Sequence, residues 1–298
     1  MINARRIGRA VFETPDLQRQ VDYYTGIVGL VVTSREKNRV FLASQVGQLT
    51  VELVQGSAAR CVKLSFEVQP GTDFGDVARE LAAQGIKSER QSDTGPGMGS
   101  VLVFDDPKGT AIELFSSWHD LSDGQEPRGA QVLKLGHIAF FVHDPQEIVD
   151  FYMKVLGFRV SDWIDDFFAF LRCNADHHTV NFLRGKRVRM HHIAFELRDF
   201  SHLESACDLL ARKDVPIIWG PLRHGPGHNI AIYHRDPDDH IVEFYTELDQ
   251  MKDEELGYFE PRPWHRDRPQ RPKVWGRANS RTIWGPPPTP DFERGRNE

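Results

Sequence analysis

Six blocks of this sequence recur at a nearly constant separation. IGRAVF at 7–12 returns as LGHIAF at 135–140, and DYYTGIVG at 22–29 as DFYMKVLG at 150–157, both 128 residues on. LTVELVQG at 49–56 matches HTVNFLRG at 178–185, and VKLSFEV at 62–68 matches HHIAFEL at 191–197, both at 129. GPG at 95–97 recurs at 225–227, and FDDPKGTAIELF at 104–115 recurs as HRDPDDHIVEFY at 234–245, both at 130. A separation that drifts by two residues over six blocks implies two copies of one module.

Each copy divides again. Alternating apolar runs such as HIAFFV, TVNFLR, HIAFEL and HIVEFY have the period of half-buried strands. DPQEIVDFYMKVLG and FSHLESACDLLARKD have helical spacing, with aspartate or serine near each start as a cap and Gly157 ending the first. The order reads β-α-β-β-β twice per module. This predicts an α+β chain of two tandem modules, each a pair of βαβββ units forming a curved mixed sheet around a cavity. The expected boundaries are a first module over 1–119, a linker over 120–131, a second module over 132–250 and an extension over 251–298. The extension holds 8 of the 18 prolines and three of the six tryptophans, Trp264, Trp275 and Trp284. It reads as an irregular segment docking its tryptophans on the second module, with a lid over that module's cavity as a sharper version.

The 37 basic and 43 acidic residues leave a formal charge of −6. That argues against nucleic acid or an anionic membrane as partner, since both reward a basic surface. No apolar run is long enough to span a bilayer, and no secretory apolar stretch opens the chain. Cys61, Cys173 and Cys207 are few, odd in number and without metal-type spacing, which fits a reducing cytoplasm.

The histidines are more pointed. All 13 lie at or after His119, so metal or proton chemistry by imidazole belongs to the second copy. His137 and His192 open equivalent strands of that copy, and Glu243 lies on its last strand. Two neutral imidazoles and one carboxylate on one face leave coordination positions open, the facial pattern suited to Fe(II) or Mn(II). His191, next to His192, is expected on the opposite face of the strand. The first copy has Arg9, Lys63 and Glu113 at the three positions. Two cations and a carboxylate cannot hold this ion but neutralise each other, so an Arg9/Lys63/Glu113 ion cluster is expected and one metal per chain.

Further polar groups appear only in the second copy. His178 replaces Leu49, His224 replaces Thr94 and Tyr233 replaces Val103. Near a metal, such groups orient an acidic hydroxyl and shuttle a proton, or else simply support the ligands. His177 and His228 are weaker candidates. His119, His143, His202, His234, His240 and His265 read as surface residues. Trp163, Phe167, Phe168 and Trp219 read as pocket walls. Arg172, Arg223 or a tail arginine is a candidate for meeting a carboxylate, though each reads first as a surface charge.

The stretches LGHIAFFV, CNADHHTVNFL, MHHIAFEL, GPLRHGPGHNIAIYHRDP and HIVEFYTEL resemble the vicinal oxygen chelate superfamily, and within it the two-module type I extradiol catechol dioxygenases. The resemblance covers about residues 5–249. It implies His137, His192 and Glu243 as iron ligands, His178 as the acid–base residue beside dioxygen, and His224 and Tyr233 as contacts to the substrate oxygens. It also implies a small aromatic diol substrate, Fe(II) ahead of Mn(II), dioxygen as co-substrate, ring cleavage beside the hydroxyls, a metal-free first module and a homo-oligomer. A metal-dependent glyoxalase or isomerase of the same superfamily is the competing enzyme reading, and His178, His224 and Tyr233 count against it. A hydroxyphenylpyruvate-type dioxygenase shares the triad but ends in a capping helix. A metal-free sequestering protein has no use for three ligands.

Overall fold

A computed structural model describes residues 2–121, 128–260, 271–278, 280 and 282–293. The first copy opens with β1 (Ala4–Thr14), α1 (Leu17–Tyr23), β2 (Val31–Arg35), β3 (Arg39–Ala43) and β4 (Leu49–Gln55). It repeats the pattern with β5 (Arg60–Val68), α2 (Phe74–Ala83), β6 (Ser88–Gln91), β7 (Val101–Asp105) and β8 (Ala111–Phe115). The second copy runs β9 (Lys134–Val142), α3 (Pro145–Leu156), β10 (Arg159–Ile164), β11 (Phe168–Arg172) and β12 (Val180–Arg184). Then come β13 (Arg189–Glu196), α4 (Phe200–Arg212), β14 (Trp219–Arg223), β15 (Ile230–Arg235) and β16 (Ile241–Thr246). The βαβββ order read from the sequence is present four times. Beyond it lie β17 (Met251–Asp253), β18 (Tyr258–Phe259), β19 (Lys273–Trp275) and a short α5 (Pro290–Glu293).

Local chemistry sets these elements. Asp144 caps α3 by accepting from the Gln146 amide at 3.0 Å, Pro145 fits its first turn, and Gly157 ends it at φ 75°. Asp199 caps α4 by accepting from the His202 amide at 2.8 Å. Helix α3 turns Ile148, Val149, Tyr152, Val155 and Leu156 inward, the apolar stripe of an amphipathic helix.

The first sheet has the order β2-β3-β4-β1-β5-β8-β7-β6, and the second β14-β15-β16-β13-β9-β12-β11-β10-β19. In each, the first strands of the two βαβββ units pair antiparallel at the centre. The registers agree as well. Val11 faces Lys63 as Ala139 faces His192, Ser65 faces Glu113 as Ala194 faces Glu243, and Val103 faces Glu113 as Tyr233 faces Glu243. The two copies therefore differ at the site by side chain and not by backbone.

The extension is less irregular than its prolines imply. Strand β19 adds in parallel to the edge strand β10, where Pro272 just before it costs no ladder bond. Arg223 bonds the extension through its backbone, donating N–H to Trp284 O at 2.9 Å and accepting at its O from Ile283 N at 2.7 Å. Trp275 and Trp284 thus dock on the second copy, while Trp264 and His265 lie outside the described residues.

The two copies share one core and grip each other through helix-to-turn bonds. Tyr152 of α3 donates to Asp106 of the first copy at 3.0 Å, and Gln20 of α1 donates to Asp236, the matching turn residue of the second, at 3.2 Å. Tyr23 of α1 meets His234 Nε2 at 2.6 Å. His234 and His240 correct the sequence reading. His234 is fully buried, and His240 is only partly exposed and bonds Asp236. Strand alternation turns Tyr233 to one face of β15 and His234 to the other, and that other face meets α1 instead of water. No helix is long and apolar enough to cross a membrane among the described residues.

Burial pushes the His234 imidazole down to about 3. Between roughly pH 6.5 and 3 the unfolded chain binds a proton here that the folded chain does not. Its contribution to stability is whole above that window and is lost as pH falls through it. His234→Gln is expected to lose less melting temperature between pH 7 and pH 5 than the wild type does. An equal loss in both proteins contradicts this assignment.

Candidate metal centre

His137, His192 and Glu243 come from three adjacent central strands, β9, β13 and β16. His137, Ala194 and Glu243 form one rung across the sheet, and His192 sits two residues from Ala194 on the same face. The small side chain of Ala194 leaves space between its two neighbours. Gly136 is required beside His137, because a Cβ there would collide with the Tyr245 hydroxyl. One ligand atom from each of the three side chains lies within 4.8 Å of the others, and all three residues are buried.

The atoms are aimed for a cation. Glu243 Oε2 stands 3.1 Å from His137 Nε2 and 3.3 Å from His192 Nε2. Adjacent ligands about 2.1 Å from an octahedral ion are about 3 Å apart, so the carboxylate stands at an adjacent-ligand distance from each imidazole. The other atoms of two ligands are already engaged. His191 Nδ1 meets His192 Nδ1 at 2.6 Å, and Asn229 donates to Glu243 Oε1 at 2.8 Å. His192 Nε2 has no hydrogen-bond partner although it is buried. Burial lowers the pKa of His137 to about 3 and that of His192 well below its ordinary value, so both imidazoles are neutral, as metal ligands must be. Burial raises Glu243 to about 7. A divalent cation would offset that penalty, and the donor set fits one.

His178, His224 and Tyr233 line the same cavity as the three candidate ligands. It has a volume of about 650 Å³. The His178 ring is 4.2 Å from that of His137, centroid to centroid, and burial keeps it neutral, with the neighbouring histidines adding to the shift. His224 Nε2 and the Tyr233 hydroxyl are 2.7 Å apart, and Trp219 stacks on Tyr233 at 5.2 Å. Burial holds Tyr233 well above the usual phenol range and lowers His224 to about 4. The walls are Ile164, Phe167, Phe168, Phe170, Leu183 and Trp219, and the extension adds Pro287, Pro288 and Phe292. Phe292 packs 4.5 Å from Trp219 and 5.0 Å from Tyr233.

The first copy fills the equivalent space with charge. Arg9 meets Glu113 at 3.0 Å and Glu52 at 3.5 Å, and Lys63 meets Glu113 at 3.4 Å. Ser65, in the place of Ala194, donates to Glu113 at 2.5 Å. Burial alone would raise Glu113, but Arg9 and Lys63 outweigh it and the carboxyl is lowered. The ion cluster read from the sequence is therefore present, and the pocket between Gly8, Arg9, Leu49 and Phe115 has a volume of about 10 Å³.

Other sequence expectations need correction. His191 lines the cavity edge and does not point to the far face, because a bulge between Met190 and His192 rotates it. Trp163 packs against the core, and Ile164 takes the wall position. Arg172 and Arg223 are buried and paired, at 2.8 Å with Glu254 and 2.7 Å with Glu247. Asn229 was not singled out by sequence, since an asparagine beside GPGH reads as a turn residue. Its one signal is that it sits four residues from Tyr233 on the site-bearing stretch.

Residues 6–114 and 134–244 match the family model described as Glyoxalase/Bleomycin resistance protein/Dioxygenase superfamily. Metapyrocatechase 2 of Cupriavidus necator is 26% identical over 266 residues, covering 82% of each chain. The manganese-dependent 2,3-dihydroxybiphenyl 1,2-dioxygenase of Geobacillus genomosp. 3 is 23% identical over 298 residues, covering 91% of this chain and 93% of that one. The Mn(II)-bound glyoxalase of Novosphingobium aromaticivorans superposes with a TM-score of 0.80 at 23% identity, over 97% of both chains. Fold alone therefore does not separate these activities.

A ligand that binds only the folded chain adds about 2.7 kcal/mol at one hundred times its dissociation constant. Fe(II) or Mn(II) at that excess should raise the melting temperature of the wild type by several degrees, and His192→Ala should abolish the rise. A full rise in the variant would place the ion elsewhere.

Proposed function

We propose that this chain, which belongs to the Glyoxalase/Bleomycin resistance protein/Dioxygenase superfamily, is an extradiol ring-cleaving dioxygenase that opens a catechol-type diol beside its hydroxyls. The observation that carries the reading is one cavity lined at once by two histidines and a carboxylate facing each other, by a separate neutral histidine, and by a histidine–tyrosine pair. A glyoxalase or isomerase needs the metal site but has no need for the rest. The curated relatives include a protein named as a diol dioxygenase.

In this reading His137 Nε2, His192 Nε2 and Glu243 Oε2 hold the ion, with Fe(II) proposed ahead of Mn(II), although both suit two imidazoles and a carboxylate. When bound, such an ion lowers the pKa of a chelating diol and carries electron density between the diol and dioxygen, the co-substrate. Asn229 holds the Glu243 carboxylate by its Oε1, leaving Oε2 for the ion. Tyr233, kept a phenol by burial, donates to the substrate oxygen that has lost its proton, and His224 fixes the direction of that hydroxyl. His178 Nε2 takes up the substrate proton and returns it when the O–O bond breaks. The apolar walls exclude water while the ring is open to attack.

Arg277, the tail arginine on the cavity wall, is paired with Asp165 at 3.2 Å and lies over the Phe167 ring at 4.3 Å. With that charge already answered and so much apolar wall, the site suits an uncharged diol with a bulky apolar substituent.

The test is a panel of catechols mixed anaerobically with metal-loaded protein and then exposed to ¹⁸O₂. A yellow ring-opened product carrying two labelled oxygens is expected only after admission of the gas. An apolar alkyl or aryl catechol should exceed a carboxylated one by about tenfold in kcat/KM, equivalent to about 1.4 kcal/mol or two buried methylenes. Product formed without oxygen would instead support the isomerase reading.

A further inference from the structure

Behind His178 runs a chain of hydrogen bonds that ends in the C-terminal extension. Asp162 on β10 is buried. Its Oδ1 accepts from the Lys273 amide at 2.9 Å, and its Oδ2 accepts from the Trp275 indole at 2.6 Å. Both partners can only donate. Oδ2 also faces His177 Nε2 at 3.1 Å, and His177 Nδ1 faces His178 Nδ1 at 3.0 Å.

Each bond in such a chain fixes the next. A carboxylate whose two oxygens are both held by donor-only groups acts as acceptor throughout, so His177 carries its proton on Nε2. With one proton on each ring, His177 Nδ1 is a lone pair, the facing atom of His178 is Nδ1–H, and His178 Nε2 is left bare. His178 lines the cavity, and no described protein group bonds its Nε2.

We infer that strand β19 of the extension, acting through Asp162 and His177, holds His178 in the tautomer whose Nε2 lone pair faces the cavity. Trp275, Asp162 and His177 are then positioning residues that keep His178 ready to accept a proton. The tautomer follows from this chain's own hydrogen bonds; its catalytic consequence rests on the dioxygenase reading above. The first copy has no such chain. Leu49 stands in the place of His178, Gln48 in that of His177, and β2, the counterpart of β10, is the last strand on its edge of the sheet. The extension thus does more than contribute walls: it supplies the terminal donor that the duplicated module lacks.

The tautomer can be read without metal or turnover. Full-length, metal-free protein labelled with ¹⁵N-histidine is observed by long-range ¹H–¹⁵N correlation, with the His178 signals assigned by their loss in His178→Gln. The wild type should show His178 protonated on Nδ1 and bare on Nε2, and His177 protonated on Nε2. Trp275→Phe, the milder change, and Asp162→Asn should move His178 to Nε2–H or to a mixture. In metal-loaded Asp162→Asn, kcat should fall at least tenfold with the diol KM and metal content unchanged. A wild-type His178 protonated on Nε2, or variants that keep the wild-type tautomer, overturns the inference. If the wild type cleaves no diol, the functional reading fails while the tautomer result stands on its own.

Discussion

A carboxylate buried on the central rung of a sheet must be matched by positive charge or by protonation, and the rest of this structure follows from how that demand is met. The two copies place Glu113 and Glu243 at equivalent positions on equivalent strands, both almost wholly buried. In the first, Arg9 and Lys63 supply the charge from within the chain and the carboxyl is lowered. In the second, those positions are His137 and His192, neutral by burial, and the carboxyl is raised to about 7. One copy is electrostatically complete, while the other calls for a cation from outside.

That difference divides the labour between the modules. The first copy fills the equivalent space with the ion cluster and spends its surface on its neighbour. Its helix α1 bonds His234, on the strand that carries Tyr233, and Asp236, just beyond that strand. The second copy keeps its cavity open, and the extension completes it with Pro287, Pro288 and Phe292 on one side and the Trp275–Asp162 bond on the other. The candidate site lies on one sheet, but its surroundings are drawn from the whole chain.

Much of this was legible in the sequence because the repeat provides an internal reference. Aligning GRAVF with GHIAF identifies the arginine-for-histidine exchange that a single copy would hide, and the Arg9/Lys63/Glu113 cluster follows from charge alone. The six candidate residues converge because strand order and register are duplicated with the repeat. What the sequence does not carry are contacts between elements far apart along it. His234 looks like a surface histidine until α1 of the other copy is laid against it. Arg172 looks like a free charge until Glu254 arrives from beyond β17. The bulge that turns His191 to the cavity edge leaves no mark in MHHIAF, and nothing in PKVW announces a strand that holds Asp162. Prolines in the extension argue correctly against a central strand, but an edge strand of three residues needs only a proline-free triplet.

The central claim is that one divalent ion belongs to the second copy and none to the first. Crystals of the protein loaded with Fe(II) or Mn(II), measured at the metal absorption edge, test it directly through an anomalous difference map. The account predicts one peak per chain, bounded by His137 Nε2, His192 Nε2 and Glu243 Oε2, and none beside Glu113. A peak in the first copy, or a fully active crystal form with no peak at the three side chains, would contradict it.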